Sequence, residues 1–362
     1  MRFIDEYRDP ELTAQMINLI KQSSVKSINL MEVCGGHTMV IHKFGIIDLL
    51  PKNIRLVSGP GCPVCVTDKR YIDQSIAYSR LPNVMITTYG DLIRVPGSTS
   101  SLEKEKAKGA DIRIVYSSTD ALDLAKTNPQ KNVIFLGIGF ETTSPSSAYI
   151  VRQAYQNKIQ NFFLYSAHKV MPPALKLLAE GEVKINGLIC PGHVSTITGS
   201  EIYEPLVADN AIACVVCGFE PLDILQSIFM LVRQIEKDEA KVEIQYTRAV
   251  KPEGNAIAQN LLHEVFEERD DWWRGFGVIP RSGQKIRQKY GRFDAEEYFD
   301  VEVEETKIDY GCICGEILKG LKIPNECSLF RKNCHPANPI GACMVSSEGA
   351  CHAFYKYGKL NQ

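Results

Sequence analysis

The chain has 362 residues, 41 Lys and Arg against 43 Asp and Glu, a formal net charge of -2 and 44% hydrophobic residues. That balance supplies neither the basic surface that nucleic acid demands nor a polybasic membrane anchor, and it suits a globular protein with a buried core. The opening residues, MRFIDEYRDPELTAQ, lack the apolar run of a signal peptide, and no stretch reaches the roughly 18 apolar residues of a bilayer span.

A cytoplasmic protein with no nucleic-acid and no membrane partner is therefore expected. In that compartment twelve cysteines read as metal ligands or reactive thiols rather than disulfides.

In chain order, residues 11–22 set Leu12, Met16, Leu19 and Ile20 on one helical face. A unit then repeats: a short apolar run, a loop rich in Gly, Cys, His or Glu, and a helical pattern. The runs predict strands at 28–33, 54–58, 84–88, 112–118, 132–138, 161–166, 187–190 and 212–217, and helices at 67–79, 146–156, 172–180 and 221–235. Such alternation predicts an α/β fold with largely parallel sheets. The strand number and a GFE repeated at 139–141 and 218–220 point to two related α/β domains, at 26–118 and 119–235. A third, helical and irregular region occupies 236–362, and a helix within 1–25 is expected to pack on it.

The loops carry the chemistry. CGGHT sets Cys34 and His37 just beyond the first strand, where open α/β sheets bind ligands. A thiolate beside an imidazole suits a transition metal or a Cys–His nucleophile. GPGCPVC sets Cys62 and Cys65 ahead of a helix capped by Thr67 or Asp68, where thiols exchange readily. GFETT offers Glu141 as an acid or base and Thr142 and Thr143 as donors, although taken alone the motif reads better as a helix N-cap at Thr143 or Ser144 before Pro145. His168 and His193 are read as structural. Cys190, Cys214 and Cys217 lie in apolar strands and are read as core thiols.

Six cysteines fall between Cys312 and Cys351 in a segment full of Gly and Pro. A metal centre would give that segment cohesion. Zinc and iron–sulfur clusters both take four thiolates, but paired C-x2-C knuckles are missing and two thiols are left over, which favours iron. In an extended C-I-C segment the two side chains diverge. Ferredoxin:thioredoxin reductases divide such a segment between one ligand and one redox thiol. By that analogy Cys312, Cys327, Cys334 and Cys351 ligate a [4Fe–4S] cluster, and Cys314 and Cys343 form a redox pair beside it. A structural zinc site with two inert thiols is the alternative.

CGGHT, GPGCPVC, GFETT and the tail ending MVSSEGAC, in that order, resemble the HypD family of [NiFe]-hydrogenase maturation factors, from about residue 25 to about residue 358. The resemblance implies two related α/β domains and a cluster-bearing third part. It implies a redox-active scaffold rather than a simple turnover enzyme, one that assembles the Fe(CN)2CO unit with the small chaperone HypC and accepts cyanide from HypE. It makes Cys34 a ligand of the ferrous iron that takes up CN and CO, with His37 beside it and Cys62 and Cys65 as a redox pair nearby. Glu141, Thr142 and Thr143 would line the same cleft. The competing reading is a stand-alone disulfide oxidoreductase with a cluster-fed dithiol.

Overall fold

The computed structural model describes residues 5–307 and 309–358. Every predicted strand forms: β1 (Ile28–Glu32), β2 (Ile54–Ser58), β3 (Val84–Thr88), β4 (Ile112–Ile114), β5 (Asn132–Gly139), β6 (Phe162–His168), β7 (Gly187–Pro191) and β8 (Ala213–Cys217). Three more follow: β9 (Val242–Ile244), β10 (Phe266–Trp273) and β11 (Gly277–Ile286). They form two wholly parallel sheets, ordered β2-β1-β7-β8-β9 and β4-β3-β5-β6, and an antiparallel β10-β11 hairpin. This is the expected α/β class.

The parallel arrangement follows from the strands' composition. β5 is buried from Val133 to Gly139 and β8 along its whole length. Such runs need helices on both faces, which crossover connections supply. The helices start where the residues dictate. Asp68, one of the two anticipated caps, accepts from the Arg70 amide at 3.2 Å. Ser117 and Asp120 form a capping box, and prolines sit in the first turns of Ser144–Gln156, Met171–Ala179 and Pro221–Glu236.

The connectivity corrects the expected domain limits. The chain builds β1 and β2, crosses to build β3 to β6, then returns to insert β7 to β9 beside β1. A division at 118/119 would split one sheet between β4 and β5. Residues 242–244, expected in the third region, extend the first sheet instead. The hairpin also lies outside the cysteine region. Ser166 Oγ donates to the Gln284 carbonyl at 2.9 Å, and Lys169 bridges Gly283, so the hairpin is fixed to the end of β6.

The N-terminal helix, Pro10–Ser23, packs on helix Pro221–Glu236 rather than on the cysteine-rich tail. Ile20 is buried with Ile224, Leu225 and Ile228. Glu236 Oε1 accepts from the Val25 and Lys26 amides at 2.7 and 2.8 Å. The tail itself packs on the helix that opens at Gly35, where His42 meets the Phe354 ring edge-on at 5.4 Å. Among the described residues no helix is long and apolar enough to cross a membrane.

Candidate metal and thiol site

Loops from both sheets meet in a cleft of about 500 Å³ at the carboxyl ends of β1, β2, β3, β5 and β7. Cys34, Cys62, Thr142, Thr143, His193 and Glu348 line it. Three motifs far apart in sequence meet here because two glycines allow it. A Cβ on Gly61 would collide with the backbone nitrogen of Cys34, and a Cβ on Gly35 would lie 2.5 Å from Cβ of Glu348.

Cys34 is partly exposed. Burial of its sulfur, with the Glu348 carboxylate nearby, pushes its pKa up to about 12. Below it Glu32 is buried, accepting from Thr38 Oγ1 at 2.6 Å and from the Cys34 amide at 3.2 Å. Desolvation raises that carboxyl to about 8. A metal docking at Cys34 must therefore displace a proton.

Two of the anticipated cleft residues lie elsewhere. His37 is fully buried, with Nε2 3.2 Å from the Cys217 carbonyl and its ring stacked on Phe219 at 4.8 Å. Burial lowers its pKa to about 4, so it is neutral. The imidazole that does face the cleft is His193, stacked on the other contact of Phe219 at 3.8 Å. The sequence alone reads His193 as structural. Its placement depends on β7 inserting beside β1, which no local pattern announces.

Glu141 turns away from its neighbours Thr142 and Thr143. It is buried, accepts from the Met171 amide at 2.8 Å where helix Met171–Ala179 begins, and borders a separate cavity of about 910 Å³. Desolvation raises its pKa from 4.5 to about 7. A raised carboxyl favours the protonated fold, so this group's contribution to stability is complete below pH 4.5 and is lost as pH rises through about 7. Glu141→Gln keeps the acceptor for Met171. It is expected to flatten the decline of the melting temperature across that window, as read by thermal unfolding at a series of pH values.

The thiols form a connected line. Cys65 is buried against both Cys62 and Cys343, Cys343 lies against Cys314, and Cys314 lies against Cys312 and Cys351. Cys312, Cys314, Cys327, Cys334 and Cys351 line one small apolar cavity with Ile317, Leu329, Phe330 and Met344. Cys343 sits outside it, between that cavity and Cys65. Among the described residues no group of three His, Cys, Asp or Glu converges on one point as ligands of a single ion would. S–H donors from Cys314 and Cys65 hold the Cys343 thiol below the ordinary range, while burial pushes Cys65 up. Cys190, Cys214 and Cys217 are buried in β7 and β8, as core thiols.

Two parallel sheets closing on a cleft lined by Cys34 and Cys62, with five further cysteines around a cavity behind it, define an α/β protein that gathers its loop thiols in one place. The profile of the HypD family, described as the hydrogenase formation hypA family, matches residues 11–358. The chain is 44% identical to hydrogenase maturation factor HypD of Escherichia coli and to that of Cupriavidus necator, covering 99% of this chain and 98% of each relative. A putative hydrogenase expression/formation protein of Methanocaldococcus jannaschii is 45% identical over 97% of this chain and 99% of its own length. The chain belongs to the HypD family of hydrogenase maturation factors.

Proposed function

We propose that this maturation factor works in the cytoplasm as the scaffold on which, together with a HypC-type chaperone, ferrous iron acquires cyanide and carbon monoxide to become the Fe(CN)2CO unit. A HypE-type carrier delivers the cyanide. Cys34 docks the iron at the cleft. Thr142, Thr143 and His193 offer hydrogen bonds to what is bound there. Anionic sulfur on low-spin ferrous iron pushes electron density towards π-acceptor ligands.

Five cysteines line the small apolar cavity, and four thiolates are the donor set of an iron–sulfur cluster. Cys312, Cys327, Cys334 and Cys351 would hold a [4Fe–4S] cluster, leaving Cys314 and Cys343 as the pair beside it. Bound there, the cluster would supply electrons. The chain's own thiols do the rest. With Cys62 and Cys65 joined, the Cys343 thiolate attacks Cys65 Sγ. The Cys62–Cys65 bond breaks and Cys62 leaves as a thiolate into the cleft. Attack by the Cys314 thiolate on Cys343 then releases Cys65. Two thiolates are consumed and two released, and the disulfide has moved from the cleft to Cys314–Cys343.

The single observation that supports this reading is the unbroken line of sulfurs from Cys62 to the cysteine-lined cavity. Mössbauer spectroscopy of oxygen-free, iron-57-labelled protein tests it. Cluster iron is expected in the chain alone, with a further low-spin ferrous site once the HypC-type partner is present. A colourless protein free of acid-labile sulfide, with zinc in the tail, would refute the cluster. Cys62 is buried but lines the cleft, the side from which a small disulfide would approach it. Turnover of such a disulfide without any partner would favour a stand-alone oxidoreductase.

A further inference from the structure

The relay needs Cys65, on a loop of one motif, to stay in contact with Cys343, 278 positions later in the chain (343 minus 65). Neither segment is regular enough to do this alone. The four-residue helix Pro63–Val66 is too short to be stable by itself, and Cys343 lies in a three-residue 3-10 turn.

The tip of the β10-β11 hairpin, Trp273 to Phe276, reaches the Cys62–Cys65 loop and the segment around Cys314, the thiol against which Cys343 lies. The Arg274 amide donates to the Val66 carbonyl at 2.8 Å. Its Nε donates to the Cys65 carbonyl at 3.1 Å and its Nη2 to the Thr67 carbonyl at 3.2 Å. One residue thus meets three successive carbonyls at the end of that helix, groups a helix terminus leaves without intrahelical partners. The same guanidinium is 13% exposed and has Nη1 3.9 Å from Asp309 Oδ2. Asp309 also pairs with Lys69, and its carbonyl accepts from the Cys312 amide at 3.2 Å.

The next residue completes the junction. Gly275 has a φ of +86° and packs Cα against Gly315, the residue after Cys314; a Cβ on it would lie 2.5 Å from the Gly315 Cα. The tip is rigid behind this contact. Trp273 is fully buried, donates from Nε1 to Ser282 Oγ at 2.8 Å, and stacks on Phe140 of the GFETT loop at 5.9 Å.

We propose that Arg274 is the positioning residue of the thiol relay: its planar fork clamps the Cys62–Cys65 loop to the Cys312–Cys314 segment, on which Cys343 rests through Cys314, and so fixes Cys65 Sγ relative to Cys343 Sγ. This rests on the relay reading above. Planarity is what the task requires, because a fork can serve two carbonyls and a carboxylate at fixed angles, whereas an ammonium is a single point donor.

The test uses the full chain, prepared without oxygen, in a Cys62→Ser, Cys314→Ser background that leaves Cys65 and Cys343 with each other. The protein is equilibrated with glutathione buffers. Oxidised glutathione accepts the electron pair and becomes two glutathione thiols as the Cys65–Cys343 bond forms. Mass spectrometry of the blocked peptides gives the equilibrium constant. Arg274→Gln is expected to lower it at least about tenfold, equivalent to about 30 mV, with unchanged circular dichroism; Arg274→Lys should fall between.

Gly275→Ala, which pushes the tip off Gly315, is expected to lower it as well, and it decides the matter if Arg274→Gln does not fold. Constants within about twofold of the parent in all folded variants overturn the clamp and leave the relay standing. Failure of the parent itself to form the Cys65–Cys343 bond overturns the relay and the clamp with it.

Discussion

Cys34→Ala protein, prepared without oxygen together with its HypC-type partner, is expected to lose the infrared bands of metal-bound cyanide and carbon monoxide while keeping the absorbance of its cluster. Cys34 and Cys62 are the two thiols lining the cleft among the described residues. Only Cys34 stands at the carboxyl end of β1, an interior strand of its sheet, with Glu32 and Glu348 around it.

Removing its sulfur leaves Cys62, which the relay commits to Cys65, beside hydroxyl, imidazole and carboxylate groups, and so removes the cleft's free thiolate donor for an iron bearing soft π-acceptor ligands. The cysteine-lined cavity shares none of these groups, so the cluster should be untouched. The raised thiol pKa adds a signature: iron uptake by the parent releases a proton and strengthens about tenfold per pH unit through neutrality. That slope should vanish in Cys34→Ala. Bands at parental intensity in the variant would remove Cys34 from the iron site.

The strands were legible because burial on both faces leaves continuous apolar runs such as NVIFLGIG, which no amphipathic helix imitates. Their distribution between sheets was not legible. β2 and β3 look alike, and what separates them is a crossing of the chain at 59–83 that depends on packing across the whole molecule. The hairpin escaped for a different reason. FEERDDWW exposes Glu267, Glu268 and Asp270 and reads as a charged helical stretch, and the partner strand contains Pro280 and an Arg281 with a φ of +54°. Its strand character comes from docking on β6, a tertiary effect.

The thiols were legible as residue types, since cysteine beside Gly and Pro in loops has few bland uses. Their contacts were not: Cys65 and Cys343 lie in motifs that share no local pattern. Glu141 and His193 show how sensitive a site is to register. One step along the loop turns Glu141 from the cleft into the helix Met171–Ala179 junction, while the insertion of β7 beside β1 brings His193 into it.

Cys343→Ser should separate the two ends of the relay without damaging either. Cys343 is fully buried and lies between Cys65 and Cys314, outside the cysteine-lined cavity and away from the cleft. A serine hydroxyl fits the space of the thiol but cannot take part in disulfide exchange. The Cys62–Cys65 disulfide of the variant would then wait for a reductant from solution, whereas in the parent a contacting thiolate acts with an effective molarity on the order of 10⁵ M.

Chemical reduction of the cluster is therefore expected to open the Cys62–Cys65 bond in the parent and to do so at least about a hundredfold more slowly in Cys343→Ser, followed by alkylation and mass spectrometry. A small dithiol admitted to the cleft should restore assembly of the iron unit in Cys343→Ser, because Cys62 lines the cleft. The same dithiol should do nothing for Cys34→Ala, which lacks the docking sulfur rather than the electrons. Parental rates in Cys343→Ser would mean that electrons reach the cleft by a path that bypasses the buried thiols, and the line of sulfurs would then be packing alone.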